Sequence, residues 1–117
     1  MRGISHEIAI YDGQPTEEQL AIYAVLIRSL RDLPYEHIIF EFADCDEITD
    51  ENELAFFQVC VHHDDLMRVE FRTGPENNGK LFKKECSVDE AIELLRTINT
   101  SREAPDRDGW ENITDTI

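Results

Sequence analysis

Three alternating apolar stretches lie between two segments with helix-start chemistry, and few folds accommodate that combination. Ile38, Phe40 and Phe42 alternate with His37, Ile39 and Glu41. Ala55, Phe57, Val59 and Val61 keep one phase over residues 53–62, and Met67, Val69 and Phe71 alternate with Arg68, Glu70 and Arg72. A period of two places each apolar set on one face of a strand. The second and third runs predict a hairpin with His62-His63-Asp64-Asp65 at its tip, and residues 73–79 form a longer turn before a further strand over residues 80–86. Three antiparallel strands in a meander follow. A short first strand is predicted over residues 4–11, closed by the turn signal Asp12-Gly13.

Helices are expected on either side of these strands. Pro15 precedes Thr16-Glu17-Glu18-Gln19, in which the Thr16 hydroxyl accepts from the amide three residues on and Gln19 reaches back. Leu20, Tyr23, Ile27 and Leu30, with Ile22, Leu26 and Leu33 beside them, form a broad stripe at helical spacing that Pro34 ends. Ser87-Val88-Asp89-Glu90 repeats the reciprocal cap, and Val88, Ala91, Ile92, Leu95 and Ile98 carry a second helix to about Asn99. The architecture predicted is α+β: a mostly antiparallel sheet of four or five strands with two helices packed on one face. At 117 residues the chain fits one domain, residues 1–117. Residues 100–117 are expected to be a polar loop or tail, with Trp110 and Ile113 able to return and pack.

Charge narrows the partner more than the reaction. Between Arg31 and Arg68 there is no lysine or arginine, yet eleven carboxylates, seven of them between Glu41 and Glu53. With a net charge of -15 and a pI near 4.4, the chain repels nucleic acid and anionic membranes and attracts cationic proteins and metal ions. A 41% hydrophobic content in periodic runs separates it from a disordered acidic tail. No apolar run approaches the ~20 residues that span a bilayer, and the first residues lack a secretory pattern, so a cytoplasmic location is expected. Cys45, Cys60 and Cys86 are odd in number and form no CxxC pair, which reads as buried free thiols.

Several candidate chemistries compete with plain structure. A calcium loop starting at Asp44 fails on spacing, because Ile48, Thr49 and Ala55 stand where an EF-hand needs an oxygen ligand, a glycine and a carboxylate. His62 and His63, adjacent on a strand, point to opposite faces and suit a polar hairpin tip better than a metal site. Cys60 with His62 forms a Cys-His spacing that is too common to count. Glu70 and Glu85 with Lys83 or Lys84 loosely match a metal-dependent nuclease set, which the overall charge disfavours. The five glycines are isolated, so no phosphate loop is present. No catalytic residue, metal or cofactor is assigned. Phe56 and Phe57 are neighbours on a strand, so if helices cover one face, one of these rings meets a dimer partner, a tail or another protein.

Residues 54–113 resemble the small immunity proteins of bacterial polymorphic-toxin and contact-dependent inhibition systems. The likeness lies in the hairpin of residues 56–71, a turn with Gly79, the strand of residues 81–86, the helix opening Ser87-Val88-Asp89-Glu90-Ala91, and a proline and a tryptophan near the end. The resemblance implies a non-enzymatic inhibitor that binds a cognate toxin domain in the cytoplasm and blocks its active site. Many such toxins are basic nucleases, which suits the acidic field. No family-specific binding residues carry over. The candidate contact residues are Glu41, Asp44, Asp46, Glu47, Asp50, Glu51, Glu53, Asp64, Asp65 and Trp110, and the expected partner is a basic protein, a toxin domain, with a second copy of the chain as a further candidate. The alternatives are an acidic, secretion-chaperone-like protein holding an effector segment and, below that, a small metal-binding protein or enzyme centred on His62 and His63.

Overall fold

The computed structural model of the chain describes residues 4–9, 16–32, 36–43, 47–63, 66–75, 78–101 and 103–114. Six strands, β1 (Ile4–Ala9), β2 (Glu36–Glu41), β3 (Leu54–His63), β4 (Leu66–Thr73), β5 (Lys80–Ser87) and β6 (Glu111–Asn112), lie side by side in sequence order. Two helices, α1 (Glu17–Ser29) and α2 (Val88–Ser101), join them. β1 and β2 run parallel, linked through α1, and every other pair is antiparallel. The sheet is thus mixed but mostly antiparallel. The expected four or five strands become six because a two-residue strand forms in the segment read as a polar tail.

The alternation predicted from residue type is what the structure buries. Ile38, Phe40, Phe42, Phe57, Val59, Met67, Val69 and Phe71 all belong to one buried cluster. Register makes them a continuous layer, since Phe40, Phe57, Phe71 and Phe82 stand opposite one another across four strands. The rings of Phe40 and Phe57 stack 6.5 Å apart, and those of Phe71 and Phe82 stack 5.0 Å apart. Ile27 and Leu30 from the first helical segment, with Ala91, Ile92, Leu95 and Ile98 from α2, close the same cluster, so both helices cover one face.

The helix starts follow their cap chemistry with one difference. At Thr16 both reciprocal bonds form, Gln19 N to Thr16 Oγ1 at 3.2 Å and Thr16 N to Gln19 Oε1 at 2.9 Å. At Ser87 the hydroxyl accepts from Glu90 N and donates to the Glu90 carboxylate, both at 3.2 Å, so the return bond is to the hydroxyl rather than to the backbone. α2 also runs two residues past Asn99. A larger correction concerns the α1 stripe. Leu20 and Ile27 are buried, but Ile22 and Leu26 point outward, with Ile22 57% and Leu26 37% exposed. The stripe was read too broadly because every turn of this helix carries apolar residues. The expected Asp12-Gly13 turn, the Pro34 stop, Leu33 and Cys45 lie outside the described residues.

The C-terminal segment is a strap. Ala104 and Trp110 pack against the core cluster, the Trp110 ring meets Phe71 edge-on at 4.7 Å, and Arg107 lies over Phe82 at 5.0 Å. Asn112 pairs with Phe82 and Glu111 with Lys83, after which Ile113 N donates to Leu81 O at 2.8 Å and Leu81 N donates to Thr114 Oγ1 at 3.0 Å. These bonds cover the free edge of β5, which would otherwise expose unpaired amides.

Candidate functional site

One end of the sheet collects carboxylates from two distant parts of the chain. β2 ends there at Glu41, β3 starts there at Leu54, and residues 47–53 lead in. Ile48, 4% exposed, is the buried anchor of this loop. Asp50 Oδ1 accepts from Asn52 N at 2.9 Å and Asp50 O accepts from Glu53 N at 3.1 Å, closing a tight turn. Gly74 N then donates to Glu53 O at 2.9 Å and ties the turn to the end of β4. Gly74 has φ of +86°, a conformation that glycine adopts without the Cβ penalty of other residues. Glu47, Asp50, Glu51 and Glu53 stay exposed around this frame.

The strap supplies the other wall. Asp50, Asn52, Glu53 and Leu54 face Glu103, Ala104, Pro105, Asp106 and Arg107 across an open cleft of about 600 Å³. Arg107 is the one cation among these lining residues. Its guanidinium donates to Asn52 Oδ1 at 3.2 Å while lying over Phe82, so it fastens the strap to the loop. Among the described residues, none of Glu47, Asp50, Glu51, Glu53, Glu103 and Asp106 forms an ion pair. Desolvation at such exposed positions is slight, so the arrangement offers a field of one sign rather than a dehydrated pocket.

The other candidate contact residues fall differently. Glu41 is half-buried in β2. Asp44 and Asp46, in the same loop, and Asp64 and Asp65 lie outside the described residues. The last two follow His63, at the opposite end of β3 from Leu54, and a ten-residue strand is about 30 Å long at ~3.3 Å per residue. Trp110 is half-buried between Phe71 and Lys84, whose ammonium is 5.9 Å from the ring. Glu103, Asp106 and Arg107 were missed in the sequence reading. Their signal was available in the charged residues around Pro105, just before Trp110, but nothing local says which loop they oppose.

The uncovered sheet face carries the remaining chemistry. Phe57 is fully buried while Phe56 is half-buried on the opposite side, as the neighbour argument requires. Around it, Glu70 is held by Gln58 Nε2 at 3.2 Å and by Arg68 at 3.0 Å, and Lys83 pairs with Glu111 at 3.3 Å. Lys84 lies on the other face, over Trp110, and does not join Glu70 and Glu85. Cys60 donates weakly to Arg68 O at 3.7 Å, and burial, with Glu70 adding, pushes its thiol up from the ordinary value. A nucleophilic thiol needs the reverse shift. Cys86 is pushed up to about 11, again mainly by burial. The side chains of His62 and His63 lie outside the described residues, and among the described residues no three His, Cys, Asp or Glu side chains gather as metal ligands. No helix of the described residues is long and apolar enough to cross a membrane.

Comparison with family models, curated proteins and solved structures finds no match to this chain.

Proposed function

We propose that this chain is a non-enzymatic binding protein of the immunity type, which neutralises a basic toxin domain in the cytoplasm by presenting its acidic cleft. The observation that carries the reading is the convergence of Asp50 and Glu53 with Glu103 and Asp106 around one cleft, with Glu47 and Glu51 exposed on the same loop, and the cleft's only lining cation is already engaged by Asn52 and Phe82. Such a field steers a cationic surface toward it and fixes its orientation, and both effects weaken with salt. The test is affinity capture from the native cell, followed by measurement with the purified partner. The captured protein is expected to be basic and toxic when expressed alone. Joint replacement Glu47→Lys, Asp50→Lys and Glu51→Lys should weaken its binding at least tenfold and flatten the salt dependence. Unchanged affinity at every salt concentration would remove the cleft from the account.

A chaperone-like role has one supporting observation, the half-buried Phe56 on the uncovered sheet face, in register between Glu41 and Arg72. It requires an extended effector segment bound there. Phe56→Ser would abolish that binding and leave an interaction at the acidic cleft intact.

A further inference from the structure

The two helices differ on their outer surfaces. α2 turns Asp89, Glu90, Glu93, Thr97 and Thr100 to solvent, as a helix covering one face of a sheet ordinarily does. α1 instead exposes Ile22 by 57%, Val25 by 65% and Leu26 by 37%. These positions are spaced i, i+3 and i+4, so they form one contiguous stripe along the helix. Isolated apolar side chains on a surface need no explanation, but a contiguous stripe on a chain this charged does.

We propose that this stripe is the contact of a two-fold homodimer in which the α1 helices of two copies pack antiparallel. The charges at the ends of the helix support a second copy as the occupant. Glu17 and Glu18 occupy the first turn and Arg28 the last. Antiparallel pairing about a two-fold axis near Ile22 and Tyr23 brings Glu17 of one copy level with Arg28 of the other, twice, with the apolar stripe between them. Both groups are exposed and hold their own α2 only through surface pairs, Arg28 with Asp89 at 3.1 Å and Glu17 with Arg96 at 3.2 Å, which cost little to rearrange.

The same geometry answers the repulsion between two copies that each carry -15. The Arg28 end of α1 lies by Asp89 at the start of α2, and α2 ends at Ser101 beside the strap that walls the acidic cleft. The Glu17 end of α1 is therefore the end nearer the cleft. Antiparallel packing sets the two clefts at opposite ends of the dimer, separated by roughly the ~20 Å length of the helix, about two Debye lengths at physiological salt. One helix face per copy is a small contact, of the weak class below the standard interface size.

Sedimentation velocity across a dilution series tests the proposal. Mass should rise from 13.6 kDa toward twice that value as concentration reaches about 0.5 mM, where even weak association registers. Val25→Glu, at an exposed position where the fold is untouched, should remain monomeric with an unchanged circular dichroism spectrum. Arg28→Glu and Glu17→Arg should each weaken self-association several-fold, and an equimolar mixture of the two should associate again because each copy then supplies the other's missing opposite charge. A wild-type monomer at the highest concentration, which would leave the stripe to a different protein, overturns the proposal. So does a dimer indifferent to Val25→Glu, or a mixture that associates no better than its components.

Discussion

Replacing Arg107 with alanine separates the two roles of its guanidinium, fastening the strap and neutralising the cleft. The contact over Phe82 at 5.0 Å is an exposed cation–π pair, worth about 0.5–1 kcal/mol. The bond to Asn52 at 3.2 Å adds about 0.5–1 kcal/mol, the low side of a typical hydrogen bond because both groups meet water. The sum is about 1–2 kcal/mol. Unfolding entropy of about 2.1 cal/mol/K per residue gives about 0.25 kcal/mol/K for a chain of this length, so Tm should fall by about 4–8 °C. Leaving Asp50, Glu53, Glu103 and Asp106 without their cation adds repulsion that salt screens, so the loss should be larger at 20 mM than at about 500 mM sodium chloride. Arg107→Lys should restore the salt-dependent part and not the planar contact with Phe82. Differential scanning calorimetry at the two salt concentrations makes the measurement. A Tm change below about 1 °C would show that the strap does not rest on Arg107, and a salt-independent loss would refute the electrostatic description of the cleft. If the cleft binds a basic partner, Arg107→Ala should also bind it more tightly while being less stable, a reversal that general misfolding cannot produce.

Thr73 ends β4 fully buried, and its hydroxyl has no hydrogen-bond partner among the described residues. Thr73→Val keeps the shape and removes an unsatisfied group, so it should raise stability by about 1–2 kcal/mol in urea unfolding, whereas Thr73→Ser should lower it. A Cβ at Gly79 would stand 2.8 Å from Thr73 O and 2.7 Å from the Arg72 guanidinium, and Gly79→Ala should cost about 1–3 kcal/mol as overpacking, read as a lower urea midpoint. Cys86 favours its neutral thiol in the folded state, where its pKa is pushed from 9.0 to about 11. That contribution is complete below the unfolded value and is lost as pH rises through the folded one, so the stability difference between wild type and Cys86→Ala should shift against the wild type between pH 9 and 11. A constant difference across that range would mean that the thiol titrates alike in both states.

The local elements were legible in the chain because their signals are local. A hydroxyl and a glutamine three residues apart specify the Thr16 cap wherever the helix sits, and Phe40, Phe57 and Phe71 point to one face because the strand period is two. The breadth of the α1 stripe was not legible. Ile22 and Leu26 have the same chemistry as Ile27, and only the packing of α1 against the sheet and α2 says which residues are covered. The strap was legible only in part, in the ability of Trp110 and Ile113 to return and pack. Residues 103–110 are polar and proline-bearing, the signature of a loop, and their order comes from contacts with Phe71, Phe82 and Asn52 far away in sequence.

The amino-acid sequence by itself determined the helix starts, the faces of the central strands and the sign of the charge, since each depends on residue type and short-range spacing. Tertiary structure alone decided that β1 joins in parallel, that β6 closes the edge of β5, and that Glu103 and Asp106 meet Asp50 and Glu53 across a cleft. These outcomes depend on which surfaces bury one another, a long-range choice that residue type and short-range spacing do not record.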